Sequence, residues 1–225
     1  MKPPDVRYVA VIAPVREVIL AGTADLAYWR ERLGRDGLFP YAAAGRAVLL
    51  ISAMASSFRG LPFREFSVSV AVSRQSDGAT HDDVFLAHAC NSSRLLAFAE
   101  RALFQTPYVP ADIRVVEQPP VSIAAGDGGT TRFAAALALE TPRAGHEAQD
   151  WEGAIYLPGG EKVFYARLAG PTEVYPFTAA DTLTIQPGAD DAALRQLVDS
   201  GFSGREWRVR AAATHSRSKT YRRER

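Results

Sequence analysis

Stretches in which apolar and polar residues alternate, or in which β-branched residues cluster, recur along almost the whole of this chain and leave little room for anything but a sheet-rich fold. They run over Arg7 to Ile12, Glu17 to Ala21, Ala47 to Met54, Phe63 to Val72, Asp83 to His88, Ile113 to Glu117, Val121 to Ala125, Arg132 to Leu139, Gly153 to Leu157, Lys162 to Leu168, Thr182 to Ile185 and Glu206 to Ala211. Successive side chains of a strand point to opposite faces, so each stretch can lay one face on a core. Pro158-Gly159-Gly160-Glu161 separates two of these runs and predicts a hairpin, because glycine takes the positive φ such turns need. Gly126-Asp127-Gly128-Gly129 reads as a second turn, and Thr141 to Asp150 as a loop.

Three helices are predicted among the strands. The first starts at a cap on Thr23 or Asp25, carries Leu26, Trp29 and Leu33, and stops at Gly34 or Gly37. The second begins near Asn91 or Ser92, bears Leu95, Leu96, Phe98 and Leu103 on an apolar stripe, and ends before Pro107. The third spans roughly Asp190 to Asp199, with Leu194 and Leu197 facing inward.

At 225 residues and 47% hydrophobic content the chain can bury one substantial core, which predicts a single domain over residues 1–225. Its last ten residues, Ser216 to Arg225, form a basic tail for which disorder and interface packing are equally open. A net charge of +1 supplies no field for nucleic acid or anionic lipid, so the expected partner is a small molecule, with no nucleic acid and no membrane. Cys90 is the only cysteine, which excludes an internal disulfide and fits a reducing compartment. With no signal-peptide pattern at Met1 to Asp5 and no apolar run of the roughly 20 residues a membrane helix needs, the expected location is the cytoplasm.

Within Phe63 to Val72, alternation puts Phe66, Val68, Val70 and Val72 on one face and Glu65, Ser67 and Ser69 on the other. Glu65 either points to solvent at a sheet edge or stands inside a cavity, where desolvation would raise its pKa and make it a useful acid or base. His81, His88, His146 and His215 lack metal-ligand spacing, so no metal site is expected; His81-Asp82-Asp83 reads as a solvated loop with a cation site as the alternative. His88 and Cys90 alternate on one strand and could share a face, but catalytic dyads need geometry beyond spacing.

Several segments, in order, resemble the acetoacetate decarboxylase-like family. Ala53-Met54 and then Ser57-Phe58-Arg59-Gly60-Leu61-Pro62-Phe63-Arg64-Glu65 are similar to two of its core strands, the helix from Asn91 to Phe104 followed by Gln105-Thr106-Pro107-Tyr108 to its helix and proline turn, Leu168-Ala169-Gly170-Pro171-Thr172 to its Gly-Pro-Thr segment, and Leu197 to His215 to its closing stretch. The resemblance implies a mainly β (α+β) fold, an open β-barrel of curved antiparallel sheets enclosing a cavity with about three helices, and a homo-oligomer. It also implies a lysine just after the proline that forms a Schiff base with a β-keto acid. This chain has Tyr108 and Val109 there, and its lysines are Lys2, Lys162 and Lys219. A second family glutamate falls at about Leu50, while Arg16 takes the place of an early arginine.

The polar set so implied is Arg16, Glu65 and Tyr108 as catalytic residues, with Arg59, Arg64, Phe63 and His88 as substrate-binding ones. Arginine can clamp a carboxylate, glutamate can move a proton and a tyrosine hydroxyl can stabilise an oxyanion; Tyr108 could equally plug the lysine's space by packing. The expected function is therefore an enzyme doing non-covalent acid/base chemistry on a carbonyl or enol compound without a cofactor: cyclisation, dehydration, isomerisation or retro-aldol cleavage, in specialised metabolism and without decarboxylation. The alternative is a non-catalytic binder of a hydrophobic carboxylate, and residual decarboxylation through Lys162 is a more distant one.

Overall fold

The computed structural model describes residues 6–73, 75–81, 83–189 and 191–223. In chain order its elements are β1 (Tyr8–Ala24), α1 (Leu26–Gly34), β2 (Phe39–Pro40), β3 (Ala42–Ala43), β4 (Arg46–Phe58), β5 (Leu61–Ser73), β6 (Asp83–Asn91), α2 (Arg94–Phe104), β7 (Tyr108–Pro110), β8 (Asp112–Val116), β9 (Ser122–Asp127), β10 (Thr130–Ala136), β11 (Gly145–Tyr156), β12 (Lys162–Pro176), β13 (Thr182–Ile185), α3 (Ala192–Asp199), β14 (Ser203–Ser218) and β15 (Tyr221–Arg222). The fold is mainly β with three helices, as expected, and no helix among the described residues is long and apolar enough to cross a membrane.

Seven strands close a ring in the order β5, β4, β1, β14, β12, β11, β6 and back to β5. Every pairing around it is antiparallel except β11 with β6. A separate four-stranded sheet, β13-β10-β9-β8, packs outside. On the ring's outward face Val18, Leu20, Leu49, Ile51, Phe66 and Val68 join Ile123 and Phe133 of the small sheet, Trp29 and Leu33 of α1, and Leu194 and Leu197 of α3 in the main core. Alternation then turns the residues between them into the ring. Along β4 the outward Ala47, Leu49, Ile51 and Ala53 are sealed. The inward Val48, Leu50 and Ser52 keep partial contact with solvent, so the ring has a lumen.

Helix α2 covers one end of that lumen. Leu96 packs with Val15, Met54, Phe63 and Ala213 from four strands, and Ala97 with Leu86, Ala89, Tyr108 and Phe164 from the other side. Ser93 caps the helix by accepting from Leu96 N at 3.3 Å, and Gln105, left-handed at φ 57°, ends it ahead of Pro107. The apolar stripe is divided: Leu96 turns inward while Leu95, Phe98 and Leu103 are exposed. Asp25 caps α1 and Asp191 caps α3; Asp190, the expected start of α3, lies outside the described residues.

Some boundaries differ from those expected. Arg7 to Ile12 and Glu17 to Ala21 are one strand, β1, because its pairing with β14 shifts register between Ile12 and Glu17 and so accommodates Pro14, which has no N–H to donate. The expected Thr141 to Asp150 loop is strand from Gly145 onward; its polar sequence hides a backbone ladder to β12. The basic tail is packed through Arg223: β14 runs to Ser218, β15 pairs with β12, and Arg223 donates to the carbonyls of Asp36 and Gly37 at 2.6 and 2.8 Å. Its last two residues and Met1 to Asp5, Lys2 included, lie outside the described residues. The turn at Gly159 is the hairpin expected, with φ 88°.

Where β1 crosses β14, Gly22 admits no side chain: a Cβ would stand 2.3 Å from the Ser203 carbonyl oxygen and 2.5 Å from the Phe202 ring. Backbone cannot yield as a flexible side chain does. Gly22→Ala is therefore expected to destabilise the protein by about 1–3 kcal/mol, read as a lower urea midpoint with an unchanged slope.

Candidate active site

Register brings the inward polar residues into one row. Arg210 of β14 lies opposite Glu17 of β1, Glu17 opposite Met54 of β4, Met54 opposite Glu65 of β5, and Glu65 opposite Asn91 of β6. Paired residues share a face, so all five point into the lumen, with Glu17 and Glu65 two strands or about 10 Å apart.

Glu65 is the chemical centre of the end under α2. Its Oε1 accepts from Asn91 Nδ2 at 3.0 Å and its Oε2 from the Tyr108 hydroxyl at 2.9 Å. Asn91 is held in turn, since its Oδ1 accepts from Ser93 N at 2.8 Å at the α2 cap. A little of the Glu65 surface still touches solvent, yet protein surrounds its carboxylate on nearly every side. Burial pushes the acid up, Glu100 pushes it further, and Tyr108, Arg217 and Asn91 only partly offset them, leaving a pKa of about 7. Tyr108 is held well above the phenol range by burial and by the two nearby carboxylates, so it stays a hydroxyl donor.

Arg217 of β14 completes this end. Its guanidinium lies between two rings, 4.4 Å from the centre of Phe104 and 4.3 Å from that of Phe164. Nη1 meets Glu100 Oε2 at 2.5 Å, and the same Glu100 oxygen accepts from the Thr106 hydroxyl at 2.8 Å. Nε and Nη2 are buried with no hydrogen-bond partner. Those two N–H groups form the side-on edge with which a guanidinium grips a carboxylate.

Next along the lumen is a buried ion network. Arg210, 2% exposed, meets Glu17 Oε2 at 2.5 Å, donates through Nε to the Thr172 hydroxyl at 3.0 Å, and reaches Gln149 Oε1 through Nη2. Glu17 Oε1 accepts from Ser52 at 2.7 Å, and His215 Nε2 stands 3.4 Å from Oε2. Burial alone would raise the Glu17 pKa, but His215, Arg210 and Ser52 together outweigh it and hold the pKa at about 2. The Gly170-Pro171-Thr172 segment thus serves to seat Arg210.

Of the residues expected at the site, Glu65 and Tyr108 come together and the rest do not join them. Arg16 is on the opposite face from Glu17, 54% exposed at its side chain, and pairs with Glu117 at 2.9 Å. Arg59 is in the exposed β4–β5 turn, 5.5 Å from the Phe58 ring centre, and Arg64 is exposed one residue out of phase with Glu65. Phe63 shares the inward face but packs with Val15, Met54 and Ala213 as wall. His88 faces outward with Cys90, because β6 shifts register between Leu86 and His88. Leu50 points into the lumen, and neither Lys162 nor Lys219 is among the groups acting on Glu65 or Tyr108. Asn91, Glu100, Arg217, Glu17 and Arg210 were not foreseen. Among the described residues no three His, Cys, Asp or Glu side chains are grouped so as to hold a metal ion; Asp82 lies outside them, and Asp83 accepts from Ala154 N and the Tyr156 hydroxyl.

No protein-family model and no curated protein sequence matches the chain. Solved structures do. An acetoacetate decarboxylase from Legionella pneumophila superposes with a TM-score of 0.66 at 11% identity over 100% of this chain and 93% of its own. A second acetoacetate decarboxylase gives 0.63 at 11% over 98% and 90%. The enduracididine biosynthesis enzyme MppR, solved with the condensation product of pyruvate and imidazole 4-carboxaldehyde, gives 0.62 at 12% over 97% and 90%. At such identities the likeness establishes the acetoacetate decarboxylase-like fold.

Proposed function

We propose that the lumen carries out acid/base chemistry on a carbonyl or enol small molecule without a Schiff base or cofactor: a cyclisation, dehydration, isomerisation or retro-aldol cleavage in the biosynthesis of a specialised metabolite. The observation that carries this reading is the contact between Glu65 and Tyr108 in a setting that brings the carboxyl to about 7. An acid with its pKa near the working pH both accepts and returns a proton efficiently. The MppR complex supports the setting, since a neighbour in fold was solved with the condensation product of pyruvate and imidazole 4-carboxaldehyde.

In this reading the unpartnered edge of Arg217 holds a substrate carboxylate, and Glu65 removes a proton from the carbon next to the carbonyl. As Glu65 becomes neutral it accepts less strongly, and the Tyr108 hydroxyl turns to the enolate oxygen. Returning the proton to another atom gives isomerisation, loss of a β-hydroxyl gives dehydration, and attack on a tethered electrophile gives cyclisation. Protein incubated with pyruvate or 2-oxobutanoate in D2O is expected to exchange the protons on the carbon beside the keto group, followed by NMR. A protein that binds these acids without exchanging them is a binder of carboxylates and not an enzyme of this kind.

Tyr108→Phe is expected to slow exchange by about 10–100-fold and to move the acid limb of the pH profile upward. The hydroxyl lowers the Glu65 pKa, so without it the carboxylate forms only at higher pH. A profile that kept its midpoint would detach Tyr108 from Glu65.

A further inference from the structure

The geometry points to a second binding site, outside the ring, for small organic acids with an apolar body. A cavity of about 660 Å³ lies between the outward faces of β5 and β6, the strand β7, the small sheet and α3. It is back to back with the lumen: Phe66 and Cys90 of its wall are the direct neighbours of Glu65 and Asn91, on the opposite face of the same two strands. Nothing in the chemistry at Glu65 uses it. Its volume falls within the roughly 300–1,000 Å³ of small-molecule sites, which are mostly apolar with a few placed polar groups.

That is its composition. Phe66, Val109, Pro110, Ala125 and Leu194 supply the apolar wall. Its polar side chains are His88, Cys90, Arg132, Asp127, Asp191, Arg32 and Gln196. Cys90 Sγ and His88 Nε2 are 3.0 Å apart on a strand face that is otherwise core. Burial raises the thiol to about 12 and lowers the imidazole, so the pair is neutral: it can direct a hydrogen bond but is no nucleophile. Arg132 has its Nε buried without a hydrogen bond, 3.5 Å from an Asp127 carboxylate that is itself largely in solvent. That ion pair is long and its carboxylate is mostly hydrated, so a carboxylate entering from the cavity can take the hydrogen bond that Arg132 does not make to Asp127. Asp191 is already committed to Leu194 N at 3.0 Å, and Arg32 to a nearly buried Asp36 at 3.4 Å, whereas the Asp127 paired with Arg132 is largely in solvent, so Arg132 is the anchor.

Isothermal titration of the full chain with 4-phenylbutyrate and indole-3-acetate, and with their methyl esters, tests this. The acids are expected to bind, the esters to bind at least tenfold more weakly, and Arg132→Gln to lose that preference. Val109→Trp, on a partly exposed position of the wall, is expected to block the cavity and abolish binding, while Glu65→Gln leaves it intact. Binding that survives both Arg132→Gln and Val109→Trp, or that Glu65→Gln removes, assigns the acids to the lumen and overturns the site. Failure of both acids to bind the wild-type protein overturns it too.

Discussion

Glu65→Gln is expected to abolish proton exchange while making the protein more stable at pH 8. The two effects have one cause. The folded protein holds the carboxyl at about 7, above the value near 4.3 that it has in an unfolded chain. A raised acid contributes stability that is fully present below the unfolded pKa and is lost as pH rises through the folded one. The wild type therefore loses stability from about pH 4 to pH 8, as it is forced to ionise Glu65 beside Glu100 in a poorly hydrated pocket. Glutamine is the neutral form at every pH, and its amide can still accept from Asn91 and donate to Tyr108. Allowing for partial solvent contact, the gain at pH 8 should be about 2 kcal/mol, with none at pH 4. Removing a general base should slow turnover by about 10²–10⁴-fold. Urea titrations at the two pH values and the exchange rate in D2O measure both. A variant that loses exchange without gaining stability at pH 8 would mean that Glu65 is not held near neutrality; one that exchanges normally would end its role as base.

Sequence alone reveals the scaffold more fully than the site, and particular residues explain why. Alternation along Phe63 to Val72 assigns both faces of β5, because one is apolar and the other bears Glu65, Ser67 and Ser69. Along β1 the same test fails. Val18 and Leu20 are buried in the outer core, but Ile19 and Ala21 on the inward face are also apolar and buried, so composition does not tell the two faces apart. Arg16 was expected from the family resemblance, and the register shift around Pro14 removes the phase information that would have shown Glu17, not Arg16, to face the lumen. The shift at Ala87 does the same to His88. Arg217 and Glu100 were hidden for another reason: they are 117 positions apart and meet only because β14 passes the end of α2. The one local signal for them was Phe104 at the helix end beside the proline turn, whose ring covers Arg217.

Arg210→Met is expected to be among the most damaging single changes in the chain, and the reason separates the two ends of the lumen. Glu65 is destabilising as an anion, whereas Glu17 is stabilised as one by His215, Arg210 and Ser52. Methionine fills much of the arginine's volume but leaves Glu17 buried without the guanidinium on its Oε2 and leaves the Thr172 hydroxyl and Gln149 carbonyl without their donor. Breaking one side of a buried pair costs about 3–5 kcal/mol; His215 beside Glu17 keeps this case toward the lower figure. Removing both charges should recover most of the loss, so Glu17→Leu combined with Arg210→Met is expected to lie within about 1–2 kcal/mol of the wild type. The pH response gives a second readout. Held at about 2, below its unfolded value, Glu17 contributes stability that is present above about pH 4.3 and lost as pH falls toward 2. That acid-side loss should shrink in Arg210→Met and vanish in the double variant. A double variant as unstable as Arg210→Met would mean that Arg210 acts by filling space and bonding Thr172, and that its charge on Glu17 is incidental.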